Sequence, residues 1–213
     1  GAIVSGKGKS DEIGSATISK LIREAASNDN IKSIVIRVNS PGGSALASDI
    51  ILREIKLARD KKPIVVSMGN YAASGGYYIS CYADKIFASS TSITGSIGVF
   101  GILVNIEKFL NDKIGINIDT VNTNKYSDFG SATRPLSNKE KLVLRESIDN
   151  IYNQFIYHVS NGRGKSISYI DSIAQGRVWS GKDGLDLGLV DEIGGLDDAI
   201  IEAANLARID EYR

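Results

Sequence analysis

Apolar positions along the chain follow two alternating rhythms. Between residues 14 and 27, Ile18, Leu21, Ile22 and Ala25 recur at the i, i+3, i+4, i+7 spacing of one helical face. Residues 33–38, Ser-Ile-Val-Ile-Arg-Val, are short and β-branched, the pattern of a buried strand. Helical spacing returns with Ala47, Ile50, Ile51, Ile55 and Ala58, and residues 63–67, Pro-Ile-Val-Val-Ser, predict a second buried strand. Strands joined by helices of this length pair in parallel, so the class is α/β.

Further strands are expected at residues 85–88, 99–104 and 117–121, with a short helix near 106–110. Ser137 and Glu140 stand three apart as a capping box, opening a long helix striped by Leu144, Ile148, Ile151, Phe155 and Val159. Asn161-Gly162 is the expected stop, and shorter helices follow at about 166–174, 181–187 and 196–207. With no repeat or long linker, residues 1–213 are expected to form one domain with a helical C-terminal portion from about 137.

Composition narrows the chemistry. The 213 residues are 42% hydrophobic, enough for a real core. Basic and acidic residues number 25 each, a balance that argues against nucleic acid as a partner. One cysteine, Cys81, and one histidine, His158, leave no disulfide framework and no cysteine- or histidine-rich metal site. No cofactor is expected. No apolar run is long enough to span a membrane, and the chain opens at Gly1-Ala-Ile-Val as if entered partway along a strand. It reads as a fragment of something longer.

Two glycine clusters directly follow the two buried strands: Asn39-Ser-Pro-Gly-Gly-Ser44 and Gly69-Asn-Tyr-Ala-Ala-Ser-Gly-Gly76. Turns beyond the carboxyl ends of parallel strands are where α/β sheets bind ligands. Glycines there let free N–H groups approach an anion. The second cluster leads into a helical stretch at 77–83, which puts Ser74 near a helix N-terminus, where developing negative charge is favoured. Neither cluster has the spacing of a phosphate-binding loop.

Together with Ile93-Thr-Gly-Ser-Ile-Gly98, Gly176-Arg-Val-Trp-Ser-Gly181 and Gly188-Leu-Val-Asp-Glu-Ile-Gly194, these motifs resemble the Clp protease/crotonase superfamily. Within it they resemble the signal peptide peptidase A family, in family order from about residue 31 to 200. The resemblance implies a repeated β-β-α spiral with a parallel sheet, and a serine endopeptidase that degrades residual signal peptides. It implies Ser74 as nucleophile, with backbone N–H groups of Gly75 and of Gly42 or Gly43 as the oxyanion hole. It also implies homo-oligomers, and membrane association on the extracytoplasmic face.

A serine needs a base. His158 lies within the long helix and is expected on its exposed face. The family uses lysine, and ungapped alignment of residues 115–120 puts Ser127 where that lysine stands. Two explanations remain open. Long family members are tandem duplications whose N-terminal half supplies the lysine, and this chain resembles a C-terminal half. Alternatively Lys125, two residues away, serves as base. Ser96 matches the family serine that orients the lysine. Tyr71, Tyr77 and Tyr78 around Ser74 either wall an apolar groove or pack the core, and Trp179 is expected to pack. Two other readings share the fold: a crotonase-type acyl-CoA enzyme, and a catalytically silent binding module.

Overall fold

The computed structural model describes residues 1–211. They divide into two compact units, Gly1–Gly98 with the chain from Tyr152 onward, and Val99–Ile151.

The first unit is built on a long central strand. In chain order its elements are β1 (Ile3–Val4), β2 (Ile13–Gly14), α1 (Ser15–Ser27), β3 (Ile34–Ser40), α2 (Ala45–Arg59), β4 (Ile64–Ala73), α3 (Gly75–Ser80), β5 (Lys85–Ala88) and β6 (Ile93–Gly95). β4 is parallel to β3, to β5 and, near its end, to β6. Its side chains alternate as strand geometry requires. Ile64, Val66 and Met68 join a large core with Ile51, Ile55 and Tyr77, while Val65 joins Phe87, Ala199 and Ala203 in a second cluster. Each fully buried isoleucine contributes about 1.5–3 kcal/mol. The C-terminal segments add α6 (Ile167–Ile173), β7 (Val178–Ser180), α7 (Gly181–Asp186), β8 (Glu192–Ile193) and α8 (Leu196–Ala207). β7 joins β6 antiparallel, and β8 joins β5.

A shift of register between Val38 and Ser40 is what prepares the site. Val38 pairs with Met68 but Ser40 pairs with Ala72, so β4 carries surplus residues over that stretch. Side chains absorb the ladder groups this frees: Asn39 Oδ1 accepts the Tyr71 N–H at 3.1 Å, and Ser92 Oγ donates to the Gly69 carbonyl at 2.7 Å.

The second unit contains a three-residue helical turn, α4 (Glu107–Phe109), which runs into a π-helical turn at Leu110–Ile114. The long helix α5 (Asn138–Arg163) has its residues divided between the units. Its capping box forms: the Ser137 N–H donates to Glu140 Oε2 at 2.7 Å, and the Glu140 N–H to Ser137 Oγ at 3.3 Å. No helix of the described residues is long and apolar enough to cross a membrane.

Three expectations are corrected. Residues 99–104 and 117–121 form no strands, because their apolar side chains find no partner strand and stay exposed. Helix α5 does not stop at Gly162. That residue lets the helix lie against the Cys81 carbonyl, where a side chain would overlap, and the left-handed residue just beyond the helix is Gly164, φ 62°. His158 is not on an exposed face. It lies three residues from Phe155 on the same stripe, and its side chain is 12% exposed.

Candidate active site

Ser74 links the end of β4 to the start of α3 with φ 53° and ψ −120°, a conformation costly for any residue with a Cβ. Hydrogen bonds on both sides impose it: the Ser74 N–H donates to the Gly95 carbonyl at 2.9 Å, and the Ser74 carbonyl accepts the Tyr78 N–H at 2.8 Å. The side chain caps nothing and is half-buried. A serine held on a sharp strand-to-helix turn has its hydroxyl aimed outward, the geometry of a nucleophile elbow.

The first glycine turn presses against this elbow. A Cβ on Gly42, φ 109°, would stand 2.8 Å from Ser74 Cβ and 2.9 Å from the Gly75 nitrogen. The turn is fixed from the other side by β1: the Ile3 N–H donates to the Gly42 carbonyl at 2.9 Å, and the Ile3 carbonyl accepts the Ser44 N–H at 2.8 Å. The Gly42 N–H is donated to Ser40 Oγ at 3.1 Å. Among the described residues, the N–H groups of Gly43 and Gly75 have no protein acceptor. They lie close together, since a Cβ on Gly75 would be 3.3 Å from the Gly43 nitrogen.

Ser96 follows the Gly95 that holds Ser74, and it too has positive φ, 48°. Its N–H donates to the Arg177 carbonyl at 2.7 Å, and Trp179 lies on Gly95 with its Nε1–H donated to the Ile173 carbonyl at 3.0 Å. The motif around Trp179 therefore frames Ser96 from about eighty residues away, by β6–β7 pairing. The motif ending at Gly194 braces the elbow: Tyr77 Oη donates to the Leu189 carbonyl at 2.9 Å, and Asp191 holds Arg163 and the Ile86 N–H.

Tyr77 and Tyr78 are core residues, fully and almost fully buried, and of the three flanking tyrosines only Tyr71 is exposed. Lys125 lies in the second unit, in an exposed turn, with its ammonium 5.8 Å from the Tyr126 ring centre. Ser127 is in the same turn and donates to the Asn124 carbonyl. His158 makes no hydrogen bond to Ser74. It is enclosed by Tyr78, Tyr82 and Tyr157, and the nearest carboxylate oxygen is Asp49 Oδ1, 3.5 Å away. Sequence reasoning overlooked Ile3, Ser40 and Ser48, whose Oγ would stand 2.6 Å from a Cβ on Gly75. Ser40 lies in the first glycine cluster and its partner is only two residues away, but the sequence does not show which way its hydroxyl turns.

The fold and this elbow define a class: a Clp protease-like α/β spiral with a half-buried serine at the carboxyl end of its central strand. The profile of Peptidase family S49 matches residues 56–210, and that of Clp protease residues 2–93. The chain belongs to Peptidase family S49. It is 44% identical over its whole length to Protease 4 of Salmonella typhi, of which it covers 34%. It is 40% identical over 98% of its length to Serine protease SPPA, chloroplastic, of Arabidopsis thaliana, covering 32% of that protein. A putative signal peptide peptidase SppA of Enterococcus faecium is 36% identical over 80% of the chain and is covered to 49%. The chain thus spans about a third of the first two relatives. A ClpP1 mutant from Listeria monocytogenes superposes with TM-score 0.57 over 87% of this chain and 86% of its own, at 18% identity, a likeness of fold.

Proposed function

We propose that this chain carries the nucleophilic half of a serine peptidase of the Ser/Lys dyad type. The observation that carries the reading is the strained Ser74 elbow, with two uncommitted N–H groups beside it. Ser74 Oγ adds to a peptide carbonyl carbon while its proton passes to a neutral lysine Nζ. The carbonyl electron pair moves onto oxygen, where the Gly43 and Gly75 N–H groups stabilise it. Collapse expels the amine, which takes the proton back, and water then hydrolyses the acyl-serine. The hydrogen bond Gly42 gives to Ser40 favours Gly43 as the second donor.

The lysine comes from outside these residues, in the other half of a longer tandem chain, and Ser96 orients it. A lysine base must be desolvated to lose its proton, and Lys125 is exposed. Substrates are extended apolar peptides such as cleaved signal peptides, met at the extracytoplasmic face of a membrane. Homo-oligomers are supported by the exposed Phe100, Ile102 and Val121 of the second unit.

The test is hydrolysis of an apolar peptide ester by the full-length protein and by this chain alone. Ser74→Ala should abolish activity in the former, and the latter should be poor. Activity surviving Ser74→Ala would overturn the nucleophile. Full activity of the isolated chain, lost in Lys125→Ala, would overturn the external base.

A further inference from the structure

Ser40 is fully buried at the end of β3, inside the machinery just described, yet it faces no substrate. Its hydroxyl accepts the Gly42 N–H at 3.1 Å, and the same oxygen is 3.5 Å from the Gly42 carbonyl. Its backbone reaches the second glycine turn, since a Cβ on Gly76 would stand 2.7 Å from the Ser40 carbonyl oxygen. One residue thus touches both turns that build the oxyanion hole.

The peptide groups that carry the Gly42 and Gly43 N–H groups are consecutive: Ile3 anchors the second through the Gly42 carbonyl, and Ser40 holds the first. A turn rich in glycine has several backbone states of similar energy. With Ile3 holding the Gly42 carbonyl, the Ser40 hydroxyl narrows them further: it takes the Gly42 N–H and leaves the Gly43 N–H free. Without the hydroxyl, the buried Gly42 N–H loses its acceptor, and a buried donor left unpaired is costly. Rotation of the turn toward another acceptor would relieve it and misdirect Gly43.

We infer that Ser40 is a positioning residue for the oxyanion hole, its side chain fixing which glycine N–H meets the developing negative charge. The inference rests on the proposed peptidase reading.

It is tested in the full-length protein with Ser40→Ala. The expected result is a fall of about 10–100-fold in kcat on a peptide ester, KM within about twofold, because a donor aimed at the transition state is lost rather than a binding contact. Affinity for a peptide boronate, which forms a tetrahedral adduct on Ser74, should fall by a similar factor. On the matching thionoester, whose sulfur accepts hydrogen bonds poorly, variant and wild type should converge. An equal loss on ester and thionoester, or unchanged kcat, overturns the inference. If Ser40→Ala does not fold, Ser40→Cys, with a similar volume and a weaker acceptor, is read by the same ester-to-thionoester ratio. Absence of ester hydrolysis in the wild type, or its persistence in Ser74→Ala, would instead sink the peptidase reading itself.

Discussion

Gly42 shows how little room the site leaves. Ala at this position would need φ 109° and would push its methyl to 2.8 Å from Ser74 Cβ. The strain is worth about 1–3 kcal/mol. Gly42→Ala is therefore expected to keep the fold, with a lower melting temperature, while losing at least ~100-fold in activity; near wild-type turnover would show that the contact is soft. His158 is the opposite case, a titratable side chain with only a 3.5 Å approach to Asp49. Both ring nitrogens are buried and make no hydrogen bond. Burial, then the Lys56 ammonium, hold the imidazole below the usual histidine value against the pull of Asp49, while Tyr78, Tyr82 and Tyr157 supply aromatic edges. A lowered value favours the neutral ring in the fold, so this contribution to stability is present above pH 6.5 and is lost as the pH falls below it. His158→Phe should flatten the decline in urea midpoint between pH 7 and pH 5; an unchanged slope would refute the assignment. His158 was misread from the sequence because a lone polar residue on a helix defaults to solvent, and only the packing of α3 against this stripe says otherwise.

Elements with enough residues to show a period were legible. The expectations for β5 and α8 coincide with the observed Lys85–Ala88 and Leu196–Ala207, and α1, β3 and α2 follow their stripes. Strands β6, β7 and β8 have two or three residues each, too few for any rhythm, and exist because β4 and β5 offer ladder partners. The absent strands at 99–104 and 117–121 are the converse, with β-forming composition but no edge to join. The segment that follows them is held by charge. Arg134 donates to both Asp128 oxygens at 2.7 Å and to Glu140 at 2.6 and 3.0 Å, tying the Lys125 turn to the start of α5. The guanidinium holds both carboxyls down at about 2, so the clamp is intact above the ordinary values of 3.8 and 4.5 and opens as the pH falls toward 2. Arg134→Gln should release amide protection across residues 125–141 at pH 7, whereas wild type keeps it down to about pH 4. Protection surviving the substitution would locate the order elsewhere.

At the scale of the molecule the two units differ in kind. The first contains both hydrophobic clusters, whereas within Val99–Ile151 the only buried side chain is Glu140. A segment that buries no apolar side chain of its own cannot offset its chain entropy. Residues 99–151 expressed alone should therefore give a disordered circular dichroism spectrum and no amide dispersion; a cooperative melting transition would disprove this. The glycine motifs made the two turns and Ser74 legible as a candidate site, because each motif is local. What closes the site was not legible: Ile3 on Gly42, Gly95 on Ser74 and Arg177 on Ser96 are contacts between residues far apart in sequence.

The hydrogen bond from Ser96 to Arg177 also sets a clock. During synthesis Ser74 leaves the ribosome about a hundred residues before Arg177, a gap of roughly 5–20 s at ordinary elongation rates. Through that interval β6 has no β7 beside it, and the carbonyl of Gly95 that holds the elbow belongs to an edge without its outer neighbour. The nascent chain therefore carries its serine long before it carries the means to aim it. Ser74 is thus among the first parts of the elbow to be made and among the last to be held on every side.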